Sequence, residues 1–132
     1  IDRRNAGALV GLGNLAAARG RHDEAVQLFS RALDAAPASM AALINRGAAL
    51  RRLGRIEESL ADLDRAAARA PSMPEAQFQR AAALRTSARF DEAAVSYRAA
   101  LTLAPARTDI HREYAAMMFE TGREGEAFGV LD

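Results

Sequence analysis

The chain is 132 residues long, half of them hydrophobic, with a formal net charge of +1. That length is an ordinary single domain with enough apolar residues for a core. The balanced charge excludes a general affinity for nucleic acid or anionic membrane. The absence of Cys excludes a disulfide framework and a thiolate metal site, and no apolar run approaches the roughly 18 residues a membrane span needs.

All 18 basic residues are Arg, and alanine is abundant. Arg in place of Lys with much Ala points to a GC-rich bacterial source. A core of Ala and Leu with few aromatics favours closely approaching helices over a deep pocket. The chain starts at Ile1 without a Met, as a fragment or a processed product does, so the absence of a signal-peptide pattern says little about the full-length protein. The expected compartment is the cytoplasm, and a periplasmic one fits the absence of Cys equally.

The chain says nearly the same thing four times. Prolines stand at 37, 71 and 105, and Gly/Ala-Arg pairs begin at 20, 54, 88 and 122, each set 34 residues apart. A fixed period in this range means stacked supersecondary units. Residues 1–5 are the tail of a preceding segment. Residues 6–39 form the first unit. Ala8, Leu9, Leu12, Leu15 and Ala16 make the stripe of a packed helix, and Gly20 suits a left-handed C-terminal cap. Asp23 and Glu24 open a second helix at its positive dipole end, with Ala25, Leu28, Phe29, Ala32 and Leu33 as its apolar stripe. Pro37 ends the unit, because the residue before proline is pushed out of helical geometry.

Residues 40–73 repeat this up to Pro71, with Leu43, Gly47, Leu50 and Leu53 on the first helix and Ile56, Leu60, Leu63 and Ala67 on the second. Residues 74–107 repeat it up to Pro105. Pro74 suits the first helical position, and Phe78, Ala81 and Leu84 precede Phe90, Ala94, Tyr97 and Leu101. Residues 108–132 begin a fourth unit with Ile110, Tyr114, Met117 and Met118, and its second helix, from about Glu124, stops in mid-pattern at Asp132. The whole is read as one continuous domain.

Aligned by position, the units restrict size in the same places. The eighth residue reads Gly13, Gly47, Ala81, Ala115; the twentieth reads Ala25, Ser59, Ala93, Ala127. Small residues let two antiparallel helices approach. Larger ones at the twenty-fourth position, Phe29, Leu63, Tyr97 and Leu131, would fill the gap between one helix pair and the next. Each pair cannot bury its face alone, so stability comes from stacking.

This pattern resembles the tetratricopeptide repeat over nearly all of residues 6–132. Leu9, Leu12, Gly13, Ala16, Gly20, Ala25, Phe29, Ala32 and Pro37 fall at the family's signature offsets. Leu9, Leu43, Gln77 and His111 replace the family's early Trp, and Arg46 and Arg80 stand where the pattern asks for an apolar residue. The resemblance implies an all-α, right-handed superhelical solenoid of antiparallel helix pairs, about three and a half repeats long. It implies a scaffold that binds a protein or extended peptide along the first helices, with no cofactor and no catalysis of its own.

The groove-facing positions would place Asn14, Asn45, Arg51, Arg52, Phe78, Gln79, Arg85 and Arg112 at the partner. Asn45 and Gln79 share one repeat position, followed there by Glu113. An amide both donates and accepts, so it can pair with a peptide backbone of any sequence; a solvated amide row is the competing reading. Arg51, Arg52, Arg85 and Arg112 offer bidentate contacts to carboxylates, against the alternative of an ordinary solvated Arg face. Asn14 and Asn45 match the two Asn of the carboxylate clamp in chaperone-binding members, but the clamp's basic positions fall on Val10, Glu75 and Gln79, so that clamp is not expected. Asp109, Glu113 and Glu120 make the last first-helix acidic, so a partner of mixed charge fits too.

Sharper motifs dissolve. Gly11-Leu12-Gly13-Asn14-Leu15-Ala16 has dinucleotide-loop spacing but no strand before it. His22 and His111 lack a second ligand at metal spacing, so no metal site is expected. The pairs Asp23-Glu24, Glu57-Glu58 and Asp91-Glu92 recur with the repeat and are explained by helix initiation. Two other functional readings share these residues. One is the targeting or substrate-recruiting arm of a larger enzyme such as a bacterial glycosyltransferase. The other is a homodimer through the C-terminal helix, where Ala127, Phe128, Val130 and Leu131 would lack cover.

Overall fold

The computed structural model describes residues 3–122. Seven helices and no strand lie within them: α1 (Arg3–Ala18), α2 (His22–Ala35), α3 (Met40–Arg52), α4 (Ile56–Arg69), α5 (Pro74–Thr86), α6 (Phe90–Leu103) and α7 (Thr108–Glu120). Ala127, Phe128, Val130 and Leu131, the residues of the dimer reading, lie outside the described residues. The chain divides into two compact units, Ile1–Pro71 with α1 to α4 and Ser72–Asp132 with α5 to α7.

Local chemistry sets the helix ends. Gly20, Gly54 and Gly122 have φ of +77°, +79° and +73°. At the first two, the amide of the following Arg bonds back to the carbonyl five residues earlier, Arg21 to Ala16 and Arg55 to Leu50, both at 2.9 Å. The glycine amides reach Ala17 and Arg51 at 3.0 and 2.9 Å. This is the Schellman closure that a left-handed residue permits. In the third repeat Ala88 makes the same turn at φ +60°. At the other end of each pair, Ala36, Ala70 and Ala104 have φ of −141°, −135° and −140°. They are the residues before Pro37, Pro71 and Pro105, extended as that position requires. Ser39 caps α3 by accepting from the Ala42 amide at 3.2 Å, and Pro74 starts α5.

The second helices begin with a device that periodicity alone does not reveal. Arg21, Arg55 and Arg89 each sit just before a helix and pair with the Glu three residues on: Glu24 at 3.8 Å, Glu58 at 2.7 Å and Glu92 at 3.1 Å. The Arg and Glu that recur in register in this chain are therefore one exposed pair as well as a complement to the helix dipole.

In the first unit the small positions do what size restriction implies. A methyl group added at Gly13 would stand 2.4 Å from the Phe29 ring, and one at Gly47 would stand 2.8 Å from Leu63. The large side chain of the second helix thus lies directly on the glycine of its own pair, closer to home than the gap-filling role read from the sequence. Phe29 reaches the next pair as well, sharing a core cluster with Ala16, Ala25 and Ala49. The Ser59 hydroxyl, fully buried, donates to the Gly47 carbonyl at 2.6 Å, which satisfies the one polar atom at this approach. In the second unit Tyr97 is fully buried, tilted against Phe78 at 6.3 Å and stacked on Tyr114 at 5.5 Å.

The stripe expected on α1 is only partly packed. Leu9 and Ala16 are buried, but Leu12 and Leu15 are exposed. Ala8 is exposed with them. They occupy positions that, on α3, are covered by the preceding second helix.

Candidate functional site

The structure divides the sequence-predicted site residues between the two units. In the first, α1 supplies Asn14 and α3 supplies Asn45, Arg51 and Arg52. Asn14 is exposed and Asn45 half-buried, and the Asn45 amide nitrogen donates to the Asn14 amide oxygen at 2.8 Å. The two side chains therefore form one bridged amide pair across neighbouring first helices. The bond fixes the flip of both groups and leaves the Asn14 nitrogen and the Asn45 oxygen outward-capable. Arg51 is half-buried at the end of α3, and Arg52 is exposed. Near the start of α1, a hollow of about 630 Å³ opens between Ala6, Gly7 and Val10 on one side and Pro37, Ser39 and Ala41 on the other. Gly7, Val10 and Ala41 are groove-facing positions of the repeat, so the amide pair has a shallow apolar neighbour.

In the second unit, α5 carries Phe78, Gln79 and Arg85, and α7 carries Arg112. Arg85 is engaged by α7. Its guanidinium pairs with Glu120 and lies 3.5 Å from a Glu113 carboxylate oxygen. The hydrogen bond to Glu120 is the main cause that pushes Arg85 above the ordinary guanidinium range. A carboxylate from a partner must compete with two that the protein provides. Arg112 is exposed and makes no ion pair with another described residue. Phe78 is half-buried against Tyr97, with the Arg107 guanidinium 5.8 Å from its ring centre. The Gln79 amide oxygen is buried and has no hydrogen-bond partner among the described residues, so this residue is not the solvated twin of Asn45 that their shared position suggests.

Sequence reasoning missed two ionic clusters. Arg46 of α3 meets Asp62 of α4 through two hydrogen bonds of 2.7 Å and gives a third, 3.1 Å, to Ser30 of α2. Asp62 is 4 % exposed. Its neighbour in register, Arg80, donates to buried Ser96 at 2.6 Å. The signal was present: each pair is 16 residues apart, and Arg46 and Arg80 were the visible departures from an apolar pattern. The second cluster is Arg107, which holds Glu75 at 2.8 Å and Asp109 at 2.8 Å while lying over Phe78. Asp109 is held down to about 2, first by its hydrogen bond from Arg107.

No metal-binding constellation forms among the described residues. None of their His, Cys, Asp and Glu side chains gather in a group of three that could hold a metal. His111 instead lies 2.9 Å from the Pro105 carbonyl. Gly11 and Gly13 are inside α1, so the dinucleotide-like spacing is not a loop. No described helix is long and apolar enough to cross a membrane.

The helix pairs, their 34-residue period and the glycine-capped turns define a helical-repeat protein. The tetratricopeptide-repeat family model matches residues 2–40, 10–74 and 44–108, and the chain belongs to that family. It is similar to the first tetratricopeptide-repeat domain of Spaghetti (RPAP3) bound to the HSP90 peptide SRMEEVD. The identity is 26 %, over 92 % of this chain and 97 % of that one, with a TM-score of 0.83. The corresponding domain of human RPAP3 aligns at 25 % identity over 95 % and 98 %, with a TM-score of 0.86. The Sgt2 domain from Aspergillus fumigatus, at 24 % identity over 92 % and 82 % with a TM-score of 0.83, speaks to the fold alone. No curated protein sequence matches the chain. Domains of this family generally serve as interaction modules and not as enzymes.

Proposed function

We propose that the chain is a protein-interaction scaffold whose first helices hold an extended segment of a partner protein, with the Asn14–Asn45 amide pair as the anchoring contact in the first unit. The observation that carries this reading is the 2.8 Å bond between those two amides. It orients one free donor and one free acceptor on adjacent first helices, the complement of a peptide unit's carbonyl and N–H. Exposed Arg52 stands on α3 to meet an acidic side chain of the same segment. A relative of similar fold holds a peptide, SRMEEVD, which supports a peptide as the ligand class.

The arginines rank differently from their sequence reading. Arg85 is taken by Glu113 and Glu120 and serves mainly to join α5 to α7. Of the four arginines assigned to the groove, Arg52 and Arg112 are exposed. The partner segment is recognised chiefly through its main chain, with acidic contacts secondary, and the cytoplasm is the expected setting.

The test is capture of partners from a lysate of the source cells by the intact chain and by an Asn14→Ala, Asn45→Ala variant. Both substitutions sit on exposed or half-buried side chains, so the variant keeps its helical circular dichroism. The proposal expects a protein retained by the intact chain and lost from the variant. Equal retention by both would move the contact away from the amide pair and contradict it.

A further inference from the structure

In the third repeat, four side chains meet where the start of α5 faces the turn into α7. Arg107, in that turn, lies 5.8 Å from the centre of the Phe78 ring and holds Glu75 of α5 and Asp109 of α7, each at 2.8 Å. The residues two periods earlier are Ser39, Val10, Gly7 and Ala41. All four line the hollow of about 630 Å³ near the start of α1. Where the third repeat has a ring, a guanidinium and two carboxylates, the first has an isopropyl group, a hydroxymethyl group, a hydrogen and a methyl group. The rest of the lining is alanine and Pro37. Its one polar side chain is engaged, because the Ser39 hydroxyl oxygen accepts from the Ala42 amide at 3.2 Å. No lining side chain is charged, so an ionised group placed there loses hydration without gaining a counter-ion. The volume lies within the roughly 300–1,000 Å³ of concave sites that take an apolar group.

We propose that this hollow is a side-chain pocket for the partner segment, taking an aromatic residue where the third repeat supplies Phe78 from its own chain. The proposal rests on the peptide reading of the first helices and adds the residue type that the segment must carry. Helix geometry also sets where in the segment that residue stands. Val10, on the hollow, and Asn14, in the amide pair, lie on one face of α1. They are one turn apart, about 6 Å along the axis. An extended chain advances about 3.3 Å per residue. The aromatic residue is therefore about two residues from the peptide unit that Asn14 and Asn45 hold. The amide pair accepts any sequence, because it reads only the main chain. The hollow supplies the selectivity that the amides lack, and it selects against acidic side chains at this place in the segment.

The probe is the synthetic peptide acetyl-Ala-Ala-Phe-Ala-Ala-amide, titrated into the full chain and followed by the amide NMR signals of Gly7, Val10 and Ala41. Its controls carry Ala or Glu in place of Phe. The Phe peptide is expected to bind about tenfold or more tightly than the Ala peptide, and the Glu peptide more weakly still. Gly7→Glu with Ala41→Asp installs the third repeat's carboxylates without its arginine, and is expected to abolish the preference for Phe. An added side chain at Gly7 meets nothing within 4 Å, and residue 41 lies in the first turn of α3, where an acid is favoured. The variant therefore folds, which an unchanged circular dichroism spectrum confirms. Asn14→Ala with Asn45→Ala separates the two readings. It is expected to weaken the Phe and Ala peptides alike and to keep their ratio. A kept ratio without weakening would overturn the amide contact and leave the pocket standing. Equal affinity for the Phe and Ala peptides would overturn the pocket, as would a Phe preference that survives Gly7→Glu with Ala41→Asp. No shift at the three amides with any peptide would overturn it too.

Discussion

Ala88 sits at φ +60° where Gly20, Gly54 and Gly122 occupy the same turn of the other repeats. A side chain in this left-handed region crowds the following carbonyl, a strain that glycine avoids. Replacing Ala88 with Gly is expected to stabilise the protein by about 1 kcal/mol, read as a higher midpoint in urea with an unchanged slope. The turn was legible in the sequence because glycine announces it; the strain at Ala88 was legible only through its register with three glycines. Arg46 shows the opposite case. The sequence marks it as an odd residue on an apolar helix and sets Asp62 at a recurring 16-residue distance, but only the fold shows which of the nearby acidic residues it meets. Arg46→Met is expected to cost about 3 kcal/mol, because it leaves a buried carboxylate without its counter-ion. Arg46→Met combined with Asp62→Leu is expected to recover most of that loss. Urea melts of the four members of this cycle measure both. Additive losses would show that the pair is uncoupled.

At the scale of elements, helix boundaries follow from local rules that sequence carries openly. Proline sets the extended residue after α2, α4 and α6, and the Schellman turn closes α1, α3 and α5. Which faces are covered is not local. Leu12 and Leu15 have the same 3.6-residue spacing as buried leucines, yet they are exposed while Leu9 beside them is buried. Arg107 illustrates how charges tie elements together. It joins Glu75 in the first turn of α5 to Asp109 in the first turn of α7. The Asp109 carboxyl lies at about 2 in the folded protein against an ordinary 3.8. Because the folded value is the lower one, the pair's contribution to stability is present above about pH 4 and lost as pH falls through about 2. A carboxyl-carbon NMR titration should find Asp109 at about 2 and find it back in the ordinary carboxylate range in Arg107→Gln. An ordinary value in the unsubstituted protein would contradict the bridge.

For the whole molecule, a 34-residue period without insertion carried the fold class and the family, since a repeated helix pair has few ways to bury its face. The site was less legible. Repeat position grouped Asn45 with Gln79 and Arg51 with Arg85, as though equal register meant equal surroundings. The structure separates them: Asn45 meets Asn14, the Gln79 oxygen is buried, and Arg85 is answered by Glu113 and Glu120. Position fixes which way a side chain starts out, while its partners depend on what the neighbouring repeat places opposite. The central claim, that a partner segment lies along the first helices, is tested most directly by placing a photo-crosslinking amino acid at Ala48 on α3 and, separately, at Arg65 on the exposed face of α4. Irradiation in the source cells followed by mass-spectrometric mapping should attach a partner segment at position 48 and none at position 65. Crosslinking at 65 with none at 48 would contradict the account.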